Sequence, residues 1–435
     1  MPNLILIDCH DLGQHLGAYG WKTVPSENLD ALAARGIRFE NSFCSAPQCS
    51  PSRAALYTGR YPHANGMFGL AHPPFNWRMK RDEKHLARLL QDAGYATALI
   101  GVQHVTGGQV EDIQALGFQQ YWREERPSRV AELVEAYLAH TPEQPFFLNI
   151  GFMSPHRDRQ GLFKQAPPDN HLGVEVPPYL PQTAEARQEF AELQGVIQEM
   201  DAAIGKIWKT LDDLDLLKDT WVIFTTDHGL AMPRAKCTLY DPGIHTALIM
   251  LARPFGLVGG RTYPELVSNV DLVPTILDML GLAAPDNIQG RSFANLLRQV
   301  GYRRREMLYA EKTHHTAYEP QRAIRTQTHK LIWNVEAGIL NIPGDILRSP
   351  IFTQMIQEAV VERPPFELYD LHNDPLERRN LIDDPEHAQT STALKAQLYQ
   401  WMQETGDPIL LGPIASPFYY ASLEALKRSA LAGRG

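Results

Sequence analysis

Residues 3–8 read N-L-I-L-I-D, with four apolar residues in a row and no alternation. A short continuous apolar run fits a strand buried on both faces. Residues 95–100, 146–152, 221–226 and 247–252 carry similar runs. Segments with apolar positions at helical spacing lie between them. Residues 26–35 form one, ending at Gly36, and residues 85–93 another, stopping at Gly94. Residues 131–140 and 271–280 follow, the latter closed by Gly281. Residues 184–217 carry a long amphipathic pattern with room for one break. Glycine just past the last periodic residue is a helix stop. Strands alternating with helices predict an α/β fold: a mostly parallel sheet flanked by helices on both faces.

After residue 303 the pattern changes. Residues 307–311, 322–327, 330–334 and 366–371 read as short strands close together, and residues 391–404 as one helix. This predicts a smaller C-terminal α+β antiparallel subdomain over residues 304–435, beside a catalytic domain over residues 1–303. Residues 160–182, rich in proline and polar residues, read as a long surface loop, a class that often carries function.

Composition narrows the partners. The chain has 435 residues, of which 44% are hydrophobic and 21% charged, enough apolar content for a sizeable core. A net charge of −9 argues against general nucleic-acid binding. No apolar run approaches the roughly 18–20 residues of a membrane span. The first residues lack the basic start and cleavage site of a signal peptide. Four cysteines, Cys9, Cys44, Cys49 and Cys237, form no C-x-x-C pair and no disulfide framework. A reducing cytoplasm is the expected compartment.

Candidate chemistry gathers just after the strands, where ligands bind in open parallel sheets. His10 and Asp11 follow the first strand, His104 the second, His156 and Arg157 the third, and Asp227 and His228 the fourth. A single histidine after a strand is ordinary; four such strand ends are a pattern. The Asp–His pairs offer mixed oxygen and nitrogen donors to a metal. Cys49-Ser50-Pro51-Ser52-Arg53 reads as the start of a helix, with Pro51 in the first turn. The positive helix end would lower the Cys49 thiol pKa and favour an anion, with Arg53 one turn on. The plain alternative is a buried cysteine before an ordinary helix.

The segment C-S-P-S-R-A-A-L-Y-T-G-R at residues 49–60 resembles the maturation motif of the type I sulfatases, C-x-P-S-R followed by T-G-R. The opening P-N-L-I-L-I-D-C-H-D-L-G, the strand T-W-V-I-F-T-T-D-H-G, K-C-T-L-Y-D-P-G at 236–243 and F-E-L-Y-D-L-H-N-D-P-L-E-R-R-N-L at 366–381 are similar to other segments of that family. Within it, the likeness is to the N-sulfoglucosamine sulfohydrolases (sulfamidases). It rests on N-G-M-F-G-L at 65–70, S-P-H-R at 154–157, His314-His315, P-Q-R-A-I-R at 320–325 and W-M-Q-E-T-G-D-P at 401–408.

The resemblance implies an alkaline-phosphatase-like fold, Cys49 oxidised to formylglycine by a maturation enzyme, and one divalent cation, usually Ca²⁺. Asp11, Asp227 and His228 fall on metal-ligand positions, and His10 falls where the family has Asp. Imidazole suits Ca²⁺ poorly, so Mn²⁺, Mg²⁺ or Zn²⁺ become credible, with Asp8 as a compensating carboxylate or merely a buried one. Arg53 would hold the nucleophile or the ligands, His104 would assist the nucleophile's proton loss, His156 would protonate the leaving group, and Lys236 would bind sulfate. The family's Lys two positions before His104 is Val102 here, and Gln103 is the candidate substitute. His314, His315, Arg322 and Arg325 are candidates for a substrate rim or a solvated strand face. The implied activity is hydrolysis of a small sulfuric ester or sulfamate, as on a sulfated sugar. A phosphonate or phosphate monoester hydrolase and a non-catalytic binding protein are the alternatives.

Overall fold

The computed structural model describes residues 1–140, 145–336, 342–359 and 362–432. Strand β1 (Asn3–Cys9) takes up the first apolar run. Strand alternation sends Ile5, Ile7 and Cys9 to one face and Leu4 and Leu6 to the other. The two sets enter different buried clusters, one on each side of the sheet. Two covered faces are the reason the run needs no polar residue.

Seven strands extend the sheet: β2 (Ile37–Phe43), β3 (Ala96–Gly101), β4 (Gln120–Trp122), β5 (Phe146–Phe152), β6 (Thr220–Thr226), β7 (Leu248–Ala252) and β8 (Arg261–Ser268). Their order is β4-β3-β5-β1-β6-β7-β2-β8. β1 runs parallel to β5 and β6, β3 to β4 and β5, and β2 to β8, while β7 is antiparallel to both neighbours. The predicted mostly parallel sheet is therefore observed. The pattern missed β2, β4 and β8. β2 is I-R-F-E-N-S-F, where polar residues hide the alternation of buried Ile37 and Phe39. β8 contains Pro264, which an edge strand tolerates because one side needs no hydrogen bond.

The long helix Ala184–Asp213 is unbroken, and its predicted break is the turn before the short Leu216–Lys218 helix, at Asp215 (φ +55°). Thr183 caps it by accepting from Ala186 N at 3.2 Å. Residues 153–183 contain no helix or strand, yet the stretch is no loose surface loop. Phe163, Val176, Tyr179 and Leu180 are buried in the main core.

Two glycines let β3 and β5 approach where they leave the sheet. A Cβ on Gly101 (φ +105°) would lie 2.0 Å from the Gly151 carbonyl oxygen, and one on Gly151 1.9 Å from that of Val102. That contact fixes where the segments bearing His104 and His156 begin.

The C-terminal strands β9 (Met307–His314), β10 (Tyr318–Thr326), β11 (His329–Asn334) and β12 (Phe366–Asp370) form a separate antiparallel sheet, ordered β12-β11-β10-β9. Helix Ala388–Thr405 covers one face, with Leu394, Leu398, Trp401 and Met402 against Ile324, Leu331 and Leu368. Among the described residues no helix is long and apolar enough to cross a membrane.

Candidate active site

The adjacent strands β3, β5, β1 and β6 end on one edge of the sheet and deliver His104, His156, His10–Asp11 and Asp227–His228 together. Two of these residues leave their strands in the left-handed region, Asp11 at φ +53° and His104 at φ +59°. Such backbone is sparsely populated outside glycine and persists where surrounding contacts over-determine it. Helix Cys49–Thr58 starts against this edge, with Cys49 as its first residue. Cys49 Sγ lies 3.4 Å from His228 Nε2.

Arg53, one turn into the helix, is fully buried and ties the edge together. Its Nε donates to Asp227 Oδ2 (3.2 Å), Nη1 pairs with Asp8, and Nη2 lies 2.9 Å from His10 Nδ1. Asp8 also accepts from Tyr57 Oη and from Asn149 Nδ2 at 2.7 Å. Asp8 is thus a satisfied internal counter-ion. His10 Nδ1 is also 2.9 Å from the Phe152 carbonyl oxygen, and its Nε2 is 3.1 Å from His104 Nδ1. Burial lowers the pKa of both histidines well below the usual imidazole value, with the Arg53 charge adding to it. Both rings are therefore neutral.

Lys236 enters from the loop after β6. Its ammonium donates to Asp11 Oδ2 (2.9 Å) and Asp345 Oδ2 (2.8 Å) and lies 3.3 Å from His156 Nε2. Burial would lower the Lys236 pKa, but Asp11 and Asp345 outweigh it and hold the charge on. His156 Nδ1 donates to the Arg157 carbonyl at 2.6 Å, which leaves Nε2 as the working nitrogen.

Burial would raise the pKa of Asp11 and Asp227. Lys236 and His156 outweigh it at Asp11, and His228 and Arg53 at Asp227, so both carboxyls are held below their usual range. At Cys49 burial wins, and the thiol is pushed well up. This corrects the expectation of a lowered thiol pKa: the helix end is present, but desolvation exceeds it. Cys49 as such is a thiol and a weak nucleophile.

The comparisons bear on this arrangement. The family model described as Sulfatase matches residues 2–282, and one described as N-sulphoglucosamine sulphohydrolase, C-terminal, matches residues 228–338. Human N-sulphoglucosamine sulphohydrolase is 31% identical, over 94% of this chain and 92% of its own. The chain belongs to the sulfatase family. Two solved structures share the fold. A structure in complex with D-glucosamine-2-N,6-O-disulfate superposes with TM-score 0.69 at 18% identity, covering 93% of this chain and 98% of its own. The phosphonate monoester hydrolase of Agrobacterium radiobacter gives TM-score 0.69 at 18% identity, covering 93% of this chain and 96% of its own.

Seen as a sulfatase, the protein is an enzyme of sulfate esters or sulfamates, and its edge brings together Cys49, Arg53, His104, His156, Lys236, His10, Asp11, Asp227 and His228. The donor atoms of Asp11, Cys49, Asp227 and His228 all lie within 4.8 Å of one another. His10 falls in a neighbouring group with Cys49 and His104, and both its ring nitrogens are engaged by protein groups. Gln103 does not replace the missing lysine: its amide oxygen accepts from Thr106 N (3.0 Å) and also from Val105 N, and its nitrogen donates to Thr106 Oγ1 (2.9 Å).

Of the four residues expected at the rim, three are turned to internal partners and His315 alone faces the site. His315 lies within electrostatic reach of Lys236 and Asp345, its Nδ1 buried without a hydrogen bond. His314 instead bonds the Ile414 carbonyl (2.9 Å) and packs on Trp77 and Tyr318. Arg322 is fully buried on Asp407 (2.5 and 3.0 Å), and Arg325 is bidentate to Asp241 (2.9 and 2.8 Å) while stacking on Phe43. Both are internal ion pairs, neither a substrate rim nor a solvated face. Asp345 was missed altogether: an aspartate in a Pro-Gly-Asp turn carries no local sign of reaching Lys236.

The residues fit a divalent cation. His228 Nδ1 donates to the Gly229 carbonyl (3.0 Å), so Nε2 presents a lone pair, 3.2 Å from Asp11 Oδ1. That carboxylate oxygen is buried and accepts no hydrogen bond. A cation placed between these two atoms would be held by both. Around the edge, the carboxylates Asp8, Asp11, Asp227 and Asp345 meet the cations Arg53 and Lys236, leaving two negative charges uncompensated, histidines aside.

Proposed function

We propose that the protein is a formylglycine-dependent sulfatase that removes sulfate, as ester or sulfamate, from a small sulfated sugar. The observation that carries this reading is the placing of Cys49: first in its helix within C-S-P-S-R, and set against the Asp11–Asp227–His228 donors. Oxidation to formylglycine would supply a hydroxyl nucleophile at this position, and a divalent ion on Asp11, Asp227 and His228 would neutralise sulfuryl oxygens. Ca²⁺ is the family's usual ion; the His228 nitrogen also admits Mn²⁺, Mg²⁺ or Zn²⁺. The chain's own groups do the rest. Arg53 orients Asp227 and leaves Cys49 its place at the helix end. His104, neutral and hydrogen-bonded to His10, accepts a proton near the nucleophile. His156 carries a proton at Nε2 toward the leaving group, work worth typically 10²–10⁴-fold. Lys236 offers a fixed positive charge to the sulfate.

Mass spectrometry of the Cys49 peptide, after co-expression with a formylglycine-generating enzyme, is the test. An aldehyde at Cys49 together with sulfate release from aryl sulfates or sulfated glucosamine is the expected result. An unmodified thiol with no release overturns the reading. A clear preference for matched phosphonate or phosphate esters transfers the site to the monoester hydrolase alternative.

A further inference from the structure

A second cleft opens between the large sheet and the C-terminal sheet. Its volume is about 440 Å³, within the roughly 300–1,000 Å³ of small-molecule sites. One wall comes from residues that follow the strand-end pairs, Leu12 directly after Asp11 and Leu230 two residues after His228. The opposite wall comes from the C-terminal sheet, with Arg325 near the end of β10 and Leu371 just past β12. Cys49, Arg53, His104, His156 and Lys236 take no part in it.

His15 lines this cleft and is only 2% exposed, yet neither of its ring nitrogens has a hydrogen bond among the described residues. Packing holds the ring instead, edge-on to Phe190 (centroids 5.4 Å apart) and tilted against Trp21 (4.8 Å). Leaving a buried polar group unpaired is costly, and native chains rarely do it. An imidazole fixed in place and left unpaired at a cleft wall points to a partner from outside the chain.

Charge narrows what that partner is. Among the described residues, the only charged side chains lining the cleft are Asp241 and Arg325. They are bidentate to each other (2.9 and 2.8 Å), and Lys330 holds Asp241 as well. Burial lowers the pKa of His15 to about 3 and that of His245, the other histidine of the cleft, to about 4, so both rings are neutral. No free charge is left to draw an anion or a cation. Trp21 and Tyr179 add flat aromatic faces beside Leu12 and Leu371, which suit the C–H faces of a ring. A neutral imidazole offers one donor and one acceptor, and the tautomer sets which nitrogen is which. A hydroxyl both gives and takes a hydrogen bond, so it satisfies either nitrogen in either tautomer. A nucleobase edge has fixed donors and acceptors and fits one tautomer only.

We propose that this cleft is a second, non-catalytic binding site for an uncharged sugar, with the ring of the sugar on Trp21 and a hydroxyl on His15. The proposal goes beyond the sulfatase reading and stands apart from it, because neither the site nor its test involves turnover at Cys49.

The test is calorimetric titration of the protein with N-acetylglucosamine, with glucose and with adenosine. Saturable binding of at least one of the two sugars, tighter than that of adenosine, is expected. His15→Phe keeps a ring against Trp21 and Phe190 and removes both nitrogens. It is expected to weaken sugar binding about tenfold, the scale of a hydrogen bond. Trp21→Leu, at a half-buried position, removes the flat face and is expected to weaken it about as much. Circular dichroism shows which variants are folded, and either one alone decides. Sugar affinity unmoved in a folded variant overturns the assignment, since the sugar then sits elsewhere, as in the strand-end site. A wild type that binds neither sugar, or that binds adenosine more tightly, overturns it as well.

Discussion

Arg53→Met removes one side chain and leaves several partners behind. Asp8, Asp227 and Arg53 are all fully buried, so no water replaces the guanidinium. Breaking a buried pair by deleting one partner costs about 3–5 kcal/mol, because a charge stays buried without compensation. Unfolding entropy of about 2.1 cal/mol/K per residue gives about 0.9 kcal/mol/K for a chain of 435 residues. The expected fall in Tm is therefore about 3–5 °C, read by scanning calorimetry. Arg53→Lys keeps the charge but has no planar fork to span Asp8 and Asp227, and is expected to fall between wild type and Arg53→Met. Asp8→Asn placed in the Arg53→Met background removes one orphaned charge while keeping the shape that Tyr57 and Asn149 contact. The double variant is expected to be more stable than Arg53→Met alone, a coupling of at least about 1 kcal/mol in a double-mutant cycle. A double variant that loses the sum of the two single losses would refute the reasoning, as would an Arg53→Met protein melting within about 1 °C of wild type.

Arg322→Met tests the reassignment of that arginine: a loss of about 3–5 kcal/mol is expected in denaturant unfolding, with kcat/KM within about threefold of wild type below the transition. A fall in kcat/KM larger than the fall in folded protein would return Arg322 to the substrate site. Chelation is expected to abolish sulfate release and lower Tm, and re-addition of Ca²⁺ or Mn²⁺ in turn to restore both, because the Asp11–Asp227–His228 donors would otherwise face one another. Full activity in a protein shown by atomic emission to hold no ion would count against the donor set. Burial pushes the Glu377 carboxyl up to about 7, above its usual 4.5, against the Lys330 charge. Between those values the folded chain holds a proton that the unfolded chain has lost, so stability is full below about 4.5 and falls as pH rises toward 7. Glu377→Gln is expected to flatten that slope in urea melts taken across the range; an unchanged slope would assign the pH dependence elsewhere.

The sequence resolves what the backbone period and local chemistry determine. Residues 4–7 could be read as a doubly buried strand because both faces of β1 are covered, and the strand-end histidines and aspartates followed from that sheet. It resolves poorly what depends on a partner far along the chain. Arg53 and Arg322 both stand among polar neighbours near a motif, and both are buried guanidinium groups on carboxylates. The difference is that Asp227 belongs to the strand edge beside Cys49, whereas Asp407 belongs to the turn after helix Ala388–Thr405. No window of sequence contains either pair. Asp345 shows the same limit from the other side. Its three neighbouring groups come from β1, β5 and the loop after β6, more than a hundred residues upstream, and the turn that carries it has no periodicity to read. The family motifs located Cys49, Arg53, Lys236 and the strand-end pairs, each of which stands in a short stretch of sequence. Asp345 lies outside every one of those motifs, and only the folded chain brings its carboxylate to Lys236.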